Sequence, residues 1–148
     1  MKKFKFSLAT VLDYKQQILD ALKGEHAIIL GKVRAQEALL ERIEAQYSAY
    51  NLEFRDRKLE GLSIGEALLY ENGLRVLERD IRRETEVLHT LYKEEEAKRA
   101  EVVAAKQETA SLEKLKEKKL QSYNHEVQKA EERQIDEFIS AARAQAGA

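Results

Sequence analysis

Leu12, Leu19, Val33, Leu40, Tyr47 and Phe54 recur at intervals of seven or multiples of seven. Four residues ahead of positions in this register stand Leu8, Leu22, Ile29, Ile43 and Tyr50. Steps of three and four therefore alternate over about six heptads. A 3.5-residue repeat keeps one narrow apolar edge turned toward a partner helix, so the pattern is the a/d seam of a coiled coil. A long two-stranded rod has almost no concave surface. Such a chain is expected to prop, insert or hold something, and not to catalyse.

Composition bears on what it would hold. The chain has no Pro, six Gly and 36% charged residues over 148 positions, the signature of long helices. Its net charge is −1, with Lys and Glu interleaved, which argues against nucleic acid as the main ligand. There is no Cys and hence no disulfide framework, so the reducing cytoplasm is the default compartment. The opening Met1-Lys2-Lys3-Phe4-Lys5-Phe6 is basic but lacks the apolar core of a signal peptide, and no stretch has the length of a membrane span.

The expected architecture is all-α: a single coiled-coil domain over 1–148, folded as a long antiparallel two-helix hairpin. Helix 1 is placed at about 7–57, a break at 58–63 and a longer helix 2 at about 64–145. Lys15, His26 and Gln36 interrupt the first seam, and polar core residues of this kind fix register or partner number. Gly24 and Gly31 fall on the outer face, where each costs about 1 kcal/mol of helix propensity without touching the seam. In the break, Ser63 and Glu66 form an S-x-x-E capping box, the hydroxyl taking the Glu66 amide and the carboxylate reaching back to the Ser63 amide. Asn72-Gly73 is a second weak point, either a kink or a tolerated glycine.

The stripe resumes with Leu74, Leu77, Ile81, Leu88 and Leu91, then thins across 93–99. There Glu94–Lys98 and Glu95–Arg99 offer i, i+4 pairs in the favoured order. Val102, Ala105, Thr109 and Leu112 follow, then an extra step of four through Lys116 to Leu120, Tyr123, Val127 and Ala130, which locally unwinds a supercoil. Ile135, Phe138 and Ile139 close the pattern. Folding at Gly61 sets Tyr50 opposite Leu74, Ile43 opposite Ile81 and Leu8 near Lys116. The second helix then outruns the first by about 30 residues, about 45 Å of helix. An apolar stripe left bare over that length marks a partner site.

Chemistry-bearing motifs are lacking. His26, His89 and His125 are scattered without metal-ligand spacing, no glycine-rich phosphate loop occurs, and no nucleophile sits in an elbow. No cofactor, metal or catalytic residue is assigned. Three features are left. Lys114 to Lys119 is a basic face for an acidic partner or a solvated helix face. Phe4, Phe6 and Leu8, set between lysines, bind membrane weakly, cap the open end of the hairpin or dock into a partner. The C-terminal stripe is the strongest, and fits a different protein better than a second copy.

Four stretches resemble the flagellar FliJ family of type III export proteins. Phe4 to Asp13 resembles its F-x-F-x-L-x-x-V-L opening, and the tract from Tyr70 to Ile81 the start of its second helix. Leu112 to Lys119 resembles its late basic stretch, and Ile135-Asp136-Glu137-Phe138 its terminal signature. The likeness spans nearly the whole chain. It implies a non-enzymatic stalk, similar to the central subunit of rotary ATPases, that serves flagellum biogenesis and motility. Its implied partners are the hexameric flagellar export ATPase, whose assembly and hydrolysis it promotes, the cytoplasmic domain of the export gate, and export chaperones. Its implied location is cytoplasmic, peripherally at the inner-membrane export apparatus, as a monomer outside the complex. On the same basis Phe4, Phe6, Leu8, Lys116, Lys118, Lys119, Tyr123, Phe138 and Ile139 are candidates for the ATPase contact. Ile43, Tyr50, Leu74, Leu77 and Ile81 are candidates for the gate contact. The chain departs from the family pattern at Gly73, where some relatives carry an aromatic, and at Glu84, where they carry a histidine. The alternatives are a structural tether, a homodimeric scaffold, or the equivalent stalk of a virulence-type secretion system. A homodimer without effect on any ATPase would mark the tether or scaffold; genome neighbourhood would mark the virulence stalk.

Overall fold

A computed structural model describes residues 2–147. Helix α1 runs from Ala9 to Glu60 and helix α2 from Ile64 to Ala146, and the two pack as an antiparallel coiled-coil hairpin. At 83 residues against 52, α2 is the longer. The most buried apolar side chains are Leu12, Val33, Phe54, Leu88 and Val102, with Thr109 beside them. On α1 all lie in the first register of the seam, and on α2 they are also whole heptads apart, as a strip-like core requires. No described side chain is less than 2% exposed, so the helices share a strip and have no interior. The Thr109 hydroxyl stays satisfied by donating to the Ala105 carbonyl at 2.8 Å.

The turn is built from three residues. Gly61 has φ of 106°, a left-handed value that a side chain would strain, and its amide donates to the Arg57 carbonyl at 3.0 Å. Ser63 Oγ accepts the Glu66 amide at 3.1 Å, which forms one half of the capping box. The Glu66 carboxylate turns instead to Arg57 Nη2, 3.4 Å away, because a guanidinium on the facing helix offers it a charged donor.

The chain divides into two compact units, each described on its own. The loop unit comprises Ala21–Val102. Here the polar seam residues are met from across: His26 Nε2 lies 3.0 Å from Glu95 Oε1, and Gln36 Nε2 donates to Glu84 Oε2 at 2.6 Å. The His26 contact, with Arg99 adding to it, holds the Glu95 carboxyl below its ordinary range. Three tyrosines also donate across the helix pair: Tyr47 to Glu78, Tyr70 to Glu53 and Tyr92 to Glu37, at 3.0, 3.1 and 3.2 Å. The expected Glu94–Lys98 pair is replaced. Lys98 reaches Glu25 of the facing helix at 2.9 Å and Glu101 at 2.8 Å, and these bonds push its pKa up to about 12.

The terminal unit comprises Met1–Asp20 with Val103–Ala148. Lys15 Nζ donates to Glu108 Oε2 at 2.8 Å, and Gln16 Nε2 to Glu113 Oε1 at 3.1 Å. Residues 2–6 are non-helical and lie against α2, with the Phe4 and Tyr123 rings 5.6 Å apart and the Tyr123 hydroxyl donating to the Lys2 carbonyl. From residue 131 to 146 every residue of α2 is exposed.

Candidate functional site

The gate candidates all fall in the loop unit. Ile43, Tyr50, Leu74, Leu77 and Ile81 are half-buried seam residues. Tyr50 among them joins a group that sequence reasoning passed over. The Tyr50 and Tyr70 rings lie 5.0 Å apart, Tyr70 stacks on Phe54 at 5.0 Å and 13°, and Lys58 Nζ sits 3.8 Å from the Phe54 centroid.

Gly73 makes this cluster possible. A Cβ added there would fall 2.6 Å from Tyr50 Cε1 and 2.7 Å from its hydroxyl oxygen. α2 continues straight through the position, so the glycine neither breaks nor merely sits in the helix; it is a notch that receives the Tyr50 ring. The hairpin register had put Leu74 there, one residue away. Glu84 accepts the Gln36 amide side chain. The sequence signal for the cluster was the run of aromatics at 50, 54 and 70, which becomes a group only once register is known.

The ATPase candidates all fall in the terminal unit. Phe4, Phe6, Leu8 and Tyr123 are half-buried, and Phe4 is brought onto Tyr123. Lys116, Lys118 and Lys119 are exposed. Phe138 is 76% exposed and Ile139 42%, with Ile135 beside them at 58%. Nothing in the unit covers these three, and a shallow recess between Glu131, Gln134, Ile135 and Phe138 opens to solvent. Ile135 is exposed together with Phe138, three residues on and on the same face.

Among the described residues no three His, Asp or Glu side chains group so as to hold a metal ion, and no helix is long and apolar enough to cross a membrane. What the surfaces offer is contact: an aromatic notch in one unit, an uncovered apolar helix face in the other.

The family model for the flagellar FliJ protein matches residues 4–147, nearly the entire chain. The chain belongs to the FliJ family. That membership ties it to flagellar export, and the two-helix hairpin, with its longer second helix, is the fold the resemblance implied. No curated protein and no solved structure matches the sequence significantly.

Proposed function

We propose that this FliJ-family chain is a non-enzymatic stalk of the flagellar type III export apparatus whose terminal unit engages the hexameric export ATPase. The observation that carries the reading is the bare face of Ile135, Phe138 and Ile139, together with the Phe4–Tyr123 contact. An uncovered apolar stripe, with Lys116, Lys118 and Lys119 about 24 Å or more back along α2, suits a ring lumen that offers apolar and acidic groups. The loop unit, through Ile43, Tyr50, Leu74, Leu77 and Ile81, contacts the export gate's cytoplasmic domain and, with it, export chaperones. On this reading the chain is cytoplasmic, peripheral to the inner membrane and monomeric outside the complex.

The test is ATP hydrolysis by the cognate flagellar export ATPase, titrated with the full chain. Stimulation is expected, and is expected to vanish for a chain ending at Ala110 and for Tyr123→Asp combined with Phe138→Asp, with helicity of the double variant largely unchanged by circular dichroism. Undiminished stimulation by the double variant would move the ring contact elsewhere. No stimulation by the intact chain at saturation would leave a tether in place of a stalk.

A further inference from the structure

The helix pair of the terminal unit has two unlike flanks. Gln16 Nε2 donates to Glu113 Oε1 and so marks the first. Asp13 and Asp20 lie on that side of α1, and Glu117, Gln121, Asn124 and Gln128 on that side of α2. Val11 and Tyr14 stand about 140° or more around α1 from Gln16, and Leu115, Lys118, Lys119 and Lys129 about 120° or more around α2 from Glu113. They make the second flank. Its apolar members are open, Tyr14 at 61%, Val11 at 42% and Leu115 at 36%, and its lysines are exposed. Of the two carboxylates on it, Glu108 is held by Lys15 at 2.8 Å, which leaves Glu126. The non-helical segment 2–6 crosses α2 at Tyr123, one turn from Lys119. Phe4 and Phe6 are half-buried, whereas Lys2, Lys3 and Lys5 are exposed. With Phe4 and Tyr123 these three lysines line a recess that contains no carboxylate. Six lysines thus stand against Glu126 in a chain whose net charge is −1.

We propose that this flank rests on an acidic lipid surface, with its lysines at the level of the phosphates and Tyr14, Val11 and Leu115 at the edge of the acyl chains. Three observations favour lipid over an acidic protein. First, the cations are all lysines, and neither 2–20 nor 103–130 contains an arginine. A lysine is a point charge on a flexible stem, which suits headgroups that move sideways, whereas a fixed carboxylate is best gripped by the guanidinium fork. Their number falls in the range of about four to eight that draws a segment to acidic lipid. Second, the most open apolar side chain on the flank is a tyrosine, the residue type enriched where membrane meets water. Third, Lys119, Ser122 and Glu126 continue the flank beyond Leu115, so no apolar line runs on for a partner helix to pack along. Because no described helix is apolar enough to cross a membrane, the attachment is peripheral. The flank shares Lys118 and Lys119 with the ring contact proposed above but does not rest on that reading, and its test contains no ATPase.

The experiment sediments the full chain with vesicles of phosphatidylcholine alone or of phosphatidylcholine mixed with phosphatidylglycerol, at low and raised salt. Binding is expected only to the mixed vesicles, and should weaken as salt is raised. Lys118→Gln with Lys119→Gln and Lys129→Gln should weaken it about tenfold or more, with unchanged helicity. Gln121→Glu with Asn124→Glu and Gln128→Glu makes the same change in net charge on the first flank, and should weaken it less than about threefold. Equal losses in the two triple variants overturn the proposal, since net charge and not a face would then be read. Equal binding to both kinds of vesicle overturns it too. So does capture of a polyglutamate peptide that requires the three lysines while the mixed vesicles are not bound, which would assign the flank to an acidic protein.

Discussion

In the loop unit, Tyr47, Tyr70 and Tyr92 each donate a hydrogen bond across the helix pair, Tyr50 fills a notch in α2, and an aromatic stack lies under Lys58. In the terminal unit the helix pair is tied by Lys15 and Gln16, a non-helical segment rests on one tyrosine, and α2 then carries only exposed side chains from residue 131 to 146. One repeat pattern thus yields two kinds of surface. Where both helices are present, the seam side chains are spent on each other, and what is left outside is charge with scattered apolar side chains such as Leu59, Leu69 and Val87. Where one helix runs on alone, its apolar register is left outside. The second kind of surface suits a partner that supplies the missing half of the seam.

Paired truncations break or sharpen this comparison most strongly. Phe54→Ala, at a ring 4% exposed and stacked on Tyr70, should lower unfolding free energy by about 3 kcal/mol. Phe138→Ala, at 76% exposure, should change it by less than about 0.5 kcal/mol. Urea unfolding monitored by helicity measures both. A large loss at Phe138 would mean that its face is covered in solution.

Next comes the notch. Gly73→Phe drives a side chain into the Tyr50 ring and should cost about 2 kcal/mol by overpacking. Adding Tyr50→Ala should restore part of that loss, because the new ring takes the vacated space. If thermal unfolding shows the two substitutions to be simply additive, the rings do not compete for one site.

The smallest effect is a pH dependence. Glu95 titrates below its ordinary value of 4.5, so its contribution is present above that value and is lost as pH falls through the folded value. Glu95→Gln should therefore flatten the acid limb of the melting-temperature profile below about pH 4.5 and leave the profile near neutrality parallel to the parent. An unaltered acid limb would remove the carboxylate from that role.

The helices, their pairing and the longer second helix were legible because a seven-residue period is a property of sequence alone. The bareness of Phe138 and Ile139 followed from counting, since α1 has too few residues to cover them. The Tyr50–Gly73 fit was not legible to the residue, because a one-residue difference in register decides which side chain faces the ring. The tyrosine ties were missed for a related reason: the long phenol reaches from the flank of one helix to a carboxylate on the flank of the other, and no local motif records it. Nor could Glu66 be known to prefer Arg57 to its own cap, or Lys98 to prefer Glu25 to Glu94, until the facing helix was in place.

The three polar interruptions of the first seam have a further effect. Lys15, His26 and Gln36 are each answered by a glutamate of α2: Glu108, Glu95 and Glu84. Were two copies to zip their first helices side by side in the same direction, lysine would confront lysine, histidine would confront histidine, and each side-chain amide would lose its carboxylate. The second helices, matched likewise, would set glutamate against glutamate three times over. Only a strand running the opposite way returns an acid to every polar step, and the chain carries that strand itself. The lapses in the apolar stripe therefore act as an address, written on one helix and legible to the other.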